Sequence, residues 1–405
     1  IGAGKEKDWI KGIDYIIRNG YLYIFNQKKL FEHLNKEQLL EKYINIISKN
    51  HYSEIEKFFR DNFNNDELES ISDSIYENID NTNTEIKSFI RNGRGKVYIP
   101  GSSIKGAIRS VLFNYIFNEK KLHNTYNTFE KFNIQTKQKL NYRTNNKEEF
   151  FKAIVDKNCK IKVDNRRTLE SSKIIDLALD NFEKSITRFI RPYDIIVDDN
   201  QLTIMDVDLY NVKNPNNNPK SETKNIGITI ECLWPSEKQP AYDFQLNISE
   251  PFIQKYKANH SNCFPTYYHD IFKGDKIQTI HHLFNIINKY TFNHIEKEIQ
   301  FFSKYSHKNG LHKGIISTLT NLKEKTLNNK RSCILRMSYG SGFHGITGDW
   351  LFDSHEIDDI RNENGKNVAY LHNRKTAKSR RIIDSYVLGF VELILPSEIA
   401  DIQNS

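Results

Sequence analysis

Ile99-Pro100-Gly101-Ser102-Ser103-Ile104-Lys105-Gly106-Ala107-Ile108-Arg109 is the stretch that most narrows what this chain can fold into. A Pro-Gly pair breaks the chain, and a serine after it offers a helix N-cap. Ile104, Ala107, Ile108, Val111, Leu112, Tyr115 and Ile116 then recur at three and four residues, the period of a helix with one buried face. Lys105 and Arg109, four apart, share another face one turn from the capped end. Free backbone N–H groups, the positive helix end and two cations make an anion site suited to phosphate. Glycine inside a helix costs about 1 kcal/mol relative to alanine, so Gly106 points to a close approach to the backbone there. The same residues also fit a plain amphipathic helix with two solvated charges.

Charge distribution supports the anion reading more than the total does. The net charge of +8 favours an acidic partner, but abundant Asn, Ile and Lys reflect genome base composition as well. Residues 28–90 hold thirteen Asp or Glu against eight Lys or Arg. Residues 91–118 hold Arg91, Arg94, Lys96, Lys105 and Arg109 with no acid, and residues 371–381 hold Arg374, Lys375, Lys378, Arg380 and Arg381 with none. Cys159, Cys232, Cys263 and Cys333 form no C-x-x-C pair, which argues against zinc-ribbon and redox motifs and for scattered reduced thiols in a cytoplasmic protein. No apolar run approaches the length of a membrane span, and no signal peptide is visible. Ile1-Gly2-Ala3-Gly4 reads as the loop after a lost first strand.

The chain alternates between strand and helix periods. Asn19-Gly20 between Asp14–Arg18 and Tyr21–Phe25 is a β-hairpin signal. Residues 30–80 switch to helical period and predict three amphipathic helices, an acidic insertion at about 28–90. Residues 119–150 read as a mobile loop or a fragmentary helix, and residues 173–190 as a helix. Strands follow at Asp194–Val197, Leu202–Tyr210, Ile226–Leu233 and Ala241–Ile248, with an Asn/Pro/Lys-rich loop at 213–225 that reads as a disordered tip. Residues 251–330 read as helices, then a strand at 332–339 and a last strand at 386–395. This order predicts an α+β fold with each sheet covered on one face. It divides the chain into an N-terminal domain, 1–250, and a C-terminal region, 251–405.

Gly340-Ser341-Gly342-Phe343-His344-Gly345 has the G-x-G-x-x-G form, but Gly348-Asp349-Trp350 breaks the helix a dinucleotide site needs, and Glu363 sits in a polar run. No nucleotide cofactor is expected. Tyr339 and Phe343 offer stacking faces around a stripped backbone, as single-stranded RNA requires; the alternative is a tight turn with two core aromatics. Arg374 to Arg381 reads as a phosphate rail or a solvated loop, and Arg188 and Arg191 as a weaker rail. Seven of thirteen histidines lie at 260–312 without metal-ligand spacing, and Asp206 and Asp208 share a strand face without a visible third ligand. No metal is expected.

IPGSSIKGAIRS resembles the PGSS-hydrophobic-KG-x-hydrophobic-R signature of the RAMP superfamily of CRISPR effector subunits. Ile334 to Gly345 resembles the glycine-rich loop near the C-terminal end of these proteins. Lys378-Ser379-Arg380-Arg381, followed by Val387 to Leu393, resembles the basic run before their final strand. Order, spacing and length are most similar to the fifth-subunit family of the type III-A (Csm) effector complex. The resemblance implies ferredoxin-like, RRM-type modules with large helical insertions. It also implies a non-catalytic subunit at the end of the filament that holds the 3′ part of the CRISPR RNA. Gly101, Ser102, Ser103, Lys105 and Arg109 would grip phosphates, and Gly340, Ser341, Gly342 and Gly345 would permit close approach. Tyr339, Phe343 and His344 would stack or hydrogen-bond, and Arg336, Lys378, Arg380 and Arg381 would supply charge. Partners would be CRISPR RNA, a neighbouring RAMP backbone subunit and the small helical subunit, with target RNA nearby. The alternatives are a RAMP-type endoribonuclease with His344 as its suspect base and a type III-B backbone subunit.

Overall fold

The structure, a computed structural model, describes residues 8–49, 52–77, 85–116, 129–133, 139–142, 159–163, 167–170, 186–213, 220–233, 241–250, 253–254, 271–272, 274–327, 331–337 and 379–396. Strand β1 (Asp8–Ile10) precedes the hairpin of β2 (Tyr15–Arg18) and β3 (Tyr21–Phe25). Asn19 and Gly20 turn that hairpin at φ 54° and 80°, the paired positive values of a two-residue turn. Four helices follow: α1 (Gln27–Lys36), α2 (Leu40–Ser48), α3 (Tyr52–Asn62) and α4 (Asn65–Ser70). The apolar period predicts three. The fourth separates because Asn64 and Glu67 form a reciprocal capping box, each side chain accepting the other's backbone N–H. Next, β4 (Ser72–Tyr76) pairs with β3. The helices are therefore inserted between neighbouring strands of one three-stranded sheet, with a core of their own around Leu30, Leu34, Tyr43, Phe58, Phe59 and Phe63.

The chain then runs through β5 (Glu85–Lys87) and β6 (Tyr98–Ile99) into α5 (Gly101–Asn114). Within the span read as loop or broken helix lie β7 (Phe129–Asn133) and β8 (Lys139–Tyr142). With β9 (Cys159–Val163) and β10 (Arg167–Glu170) they form an antiparallel four-stranded sheet. The period-2 pattern Cys159-Lys160-Ile161-Lys162-Val163 carried that information, and the surrounding polar composition masked it. Most of the predicted helix at 173–190 lies outside the described residues; its end is one 3-10 turn, Ile186–Phe189, followed by β11 (Ile190–Pro192) and β12 (Ile195–Ile196).

A long hairpin, β13 (Leu202–Lys213) and β14 (Lys220–Leu233), takes up both ends of the predicted disordered tip: β13 runs on to Lys213, and β14 already begins at Lys220, ahead of the predicted start at Ile226. A register break between Val207 and Asp208 falls opposite Gly227, whose φ is 67°. β15 (Leu246–Ile248) pairs with β11. The long helix α6 (Lys276–Lys304), capped by an Asp275–Gln278 box, and α7 (Leu311–Thr326) cover the sheets. The chain returns through β16 (Ser332–Arg336), β17 (Ser379–Ile383), β18 (Tyr386–Val387) and β19 (Phe390–Ile394). The single last strand expected at 386–395 is two, because Gly389 turns the backbone at φ 100°.

The architecture is α+β. The main sheet has the order β1-β5-β14-β13-β17-β18, antiparallel except where β5 meets β14. One core joins α5 and α6 to the strands through Ile104, Ile108, Leu112, Leu283, Phe284, Ile287 and Leu335. Another fills the space between β13, β17, α6 and α7 with Tyr210, Val212, Ile295, Phe302, Ile315 and Ile382. Burial pushes the Cys232 thiol up to about 12, and Cys333 well above its ordinary value, so both are inert as nucleophiles at neutral pH. No described helix is long and apolar enough to cross a membrane.

Candidate nucleic-acid interface

The signature stretch folds as strand, turn and helix. β6 pairs with β12, Pro100 occupies the N-cap position with φ −63° and ψ 130°, and α5 begins at Gly101. Ser102 is thus the second helical residue and not the cap the sequence suggested. The reason lies in the link between β11 and β12: Gly101 N–H donates to the Asp194 carboxylate at 2.7 Å. That carboxylate already supplies negative charge to the helix end, as an N-terminal anion should. Gly101 is buried, and a Cβ there would stand 2.2 Å from the Pro192 carbonyl oxygen. This glycine admits a neighbouring backbone of the same chain.

Ile104, Ile108, Val111 and Leu112 face the core, so the face bearing Ser102, Ser103, Lys105, Gly106 and Arg109 is left toward solvent. Helix α5 packs against β11, which brings in the two arginines that sequence reading ranked as the weaker rail. Burial first, and then the fields of Arg191, Arg188 and Arg109, hold the Lys105 ammonium below its ordinary pKa. Arg188 and Arg191 are themselves exposed, and Arg191 Nε donates to the Arg188 carbonyl at 3.4 Å. Four cations from two segments far apart in sequence therefore share one surface. Gly106 is exposed with nothing within 4 Å of where its Cβ would be. The close approach expected there is not made by this chain's own described residues.

Two of the C-terminal cations, Arg336 and Arg380, point inward. Helix α6 presents a polar ladder, Asn288, Thr291, His294 and Glu298, to β16 and β17. Asn288 donates to the Ser332 carbonyl at 2.9 Å and accepts the Ile334 N–H at 3.0 Å, while Thr291 donates to the Ile334 carbonyl at 2.6 Å. These bonds satisfy the edge of β16 that β19 leaves open. Arg336, only 6% exposed, lies against the His294 ring nitrogen and over the Phe390 ring. Arg380 bonds Glu298 at 2.7 Å and stacks 4.0 Å from the Phe301 centroid. Of the basic run, Arg380 and Arg381 lie on β17, paired with Tyr210 and Leu209. Arg336 and Arg380 thus engage the fold's interior.

Burial works against the Glu298 charge, yet Arg380, Arg336 and His294 outweigh it and hold the carboxyl at about 2. Tyr339, Gly340, Ser341, Gly342, Phe343, His344, Gly345 and Lys378 lie outside the described residues. Asp206 accepts the Thr229 hydroxyl at 2.5 Å. Burial, then Asp206 and Asp384, push the Asp208 carboxyl up. Among the described residues no three His, Cys, Asp or Glu converge as a metal site would need. The residues that sequence reading missed are Asp194, which positions α5, and Tyr193 beside it. The interleaved Arg188-Phe189-Ile190-Arg191-Pro192-Tyr193 was the available signal.

The chain belongs to the RAMP superfamily, which matches residues 58–346. Two solved structures share its fold across nearly the whole length. One, a Csm–crRNA–target RNA ternary complex of a type III-A CRISPR-Cas system, contains a chain 13% identical, with 97% of each chain covered and a TM-score of 0.61. The other, Csm5 of T. onnurineus, is 16% identical over 96% of this chain and 97% of that one, with a TM-score of 0.59. No curated protein matches the chain by sequence.

Proposed function

We propose that this chain is a Csm5-type subunit of a type III-A CRISPR effector complex, a non-catalytic binder of CRISPR RNA at the end that holds its 3′ part. The observation that carries the reading is the convergence of Lys105, Arg109, Arg188 and Arg191 on one surface beside the open backbone of Gly106. Such a surface meets phosphates and leaves room for a backbone. The near-complete overlap with a chain from a Csm–crRNA–target RNA complex supports the same assignment. RNA would run along α5 and β11, and a neighbouring RAMP subunit and the small helical subunit would flank it. The chain works in the cytoplasm and assists assembly and RNA maturation without cutting RNA itself.

Salt dependence tests the surface. Each phosphate contact contributes about 0.7 to the slope of log K against log salt for a single strand. Replacing Lys105 and Arg109 by alanine should flatten the slope by about 1.4, and replacing all four cations by about 3. An unchanged slope and affinity remove these residues from the RNA path. Purified protein should leave a labelled repeat RNA intact with or without Mg²⁺. Cleavage that vanishes in His344→Ala would make the protein an endoribonuclease instead.

A further inference from the structure

Tyr193 is 52% exposed, which alone is ordinary for a surface tyrosine. Its backbone, however, is fixed from both sides. The Tyr193 N–H donates to the Gln245 carbonyl at 3.0 Å and so extends the β11–β15 pairing by one residue. The Pro192 carbonyl before it fills the place of a Gly101 Cβ, and the Asp194 carboxylate after it takes the Gly101 N–H. Residues two apart on an extended strand point the same way, so Tyr193 shares its face with the exposed Arg191. Arg191 in turn is close enough to Lys105 to lower its pKa, as are Arg188 and Arg109. A ring on a clamped backbone loses little freedom when a ligand lies on it.

The geometry points to Tyr193 as a stacking platform for an unpaired base, with the flanking phosphates held by Lys105, Arg109, Arg188 and Arg191, so that this surface selects single-stranded RNA over duplex. The inference rests on the reading of the surface as an RNA site and adds to it a ligand class and a residue. Bases in a duplex are stacked on one another and offer no free face, whereas a single strand can splay one onto an aromatic ring.

The test uses the full chain and two fluorescent probes, a mixed-sequence single-stranded RNA and a blunt RNA duplex. Tyr193→Ala should weaken single-strand binding roughly 5- to 150-fold, the worth of one stacked base. It should leave the salt slope and the duplex affinity as they are. Tyr193→Phe, which keeps the ring, should restore binding. Tyr193→Ala binding the single strand as tightly as the parent, or losing single strand and duplex alike, overturns the platform. Loss in Tyr193→Phe equal to that in Tyr193→Ala overturns it too. A parent chain that binds neither probe overturns the RNA reading itself; a salt-dependent parent indifferent to Tyr193 overturns the platform alone.

Discussion

Glu231 offers the sharpest test of how the scaffold holds together. It lies on β14 with no solvent exposure and accepts four hydrogen bonds. The Tyr76 hydroxyl donates at 2.5 Å, the Phe89 N–H at 2.6 Å, and Arg91 donates twice, at 2.8 and 2.7 Å. Tyr76 belongs to the three-stranded sheet, Phe89 and Arg91 follow β5, and the Arg91 guanidinium sits 5.0 Å from the Trp9 ring on β1. One carboxylate thus joins the insertion-bearing sheet to the main sheet. Burial opposes the Arg91 charge, and pairing with Glu231 more than compensates, so its pKa stands above the ordinary value. Burial and the adjacent carboxylate push the Tyr76 phenol up, which keeps it a neutral donor.

Glu231→Gln keeps the shape and removes the charge. The amide turns one acceptor into a donor facing other donors, and the Arg91 guanidinium, with a side chain 24% exposed, is left without its counter-charge. Breaking a buried pair from one side costs about 3–5 kcal/mol, a large part of the roughly 5–15 kcal/mol that stabilises a domain. With about 2.1 cal/mol/K of unfolding entropy per residue, a chain of this size melting as one unit should lose about 4–6 °C in Tm. Circular dichroism melts and urea midpoints give the comparison. Arg91→Met, Glu231→Leu and Tyr76→Phe together remove every polar side chain of the cluster. That variant should recover part of the loss, because it still leaves the Phe89 N–H without Glu231 and the Phe89 carbonyl without Arg91, which donates to it at 3.1 Å, at about 1–3 kcal/mol for each buried group. If Glu231→Gln melts within 1 °C or so of the parent, below the cost of even one lost charge-assisted bond, the cluster does not hold the sheets together.

Two further outcomes follow from the same reasoning. The Glu298 carboxyl sits at about 2 in the fold, below its value near 4.3 in an unfolded chain. Its stabilisation is therefore complete above about pH 4.5 and is lost as pH falls toward 2, by roughly 2 kcal/mol at pH 3. Urea midpoints of Glu298→Gln should lack this share of the acid loss, and parallel parent and variant curves would refute the pairing. The two glycines of the signature helix should respond oppositely. Gly101→Ala forces a Cβ onto the Pro192 carbonyl and should cost at least 1–3 kcal/mol along with RNA binding. Gly106→Ala meets nothing in the chain and should raise stability by up to about 1 kcal/mol while weakening RNA or partner binding. Gly106→Ala that stabilises without affecting binding would show that this open backbone admits no ligand.

What the sequence disclosed was local. Asn19-Gly20 announced its hairpin because both residues accept positive φ, and the Ile104–Leu112 period announced α5 because one face had to be buried. The sheet of β7 to β10 was hidden by a polar, Lys- and Asn-rich composition that resembles loop, although the alternation around Ile161 was present. Gly101 looked like a contact for a ligand, yet its missing Cβ is filled by Pro192, 91 residues later in the chain. No reading of spacing along α5 supplies that distance, nor does it supply Asp194, whose carboxylate displaces the serine from the capping role. The same clamp decides how the surface can work. A helix end already balanced by Asp194 has little need of a phosphate directly on its axis. On the proposed RNA reading, the charge that would meet a nucleic acid is then the lateral set of Lys105, Arg109, Arg188 and Arg191, along the flank of α5, where Gly106 is open and Tyr193 stands clear of the backbone that fixes it.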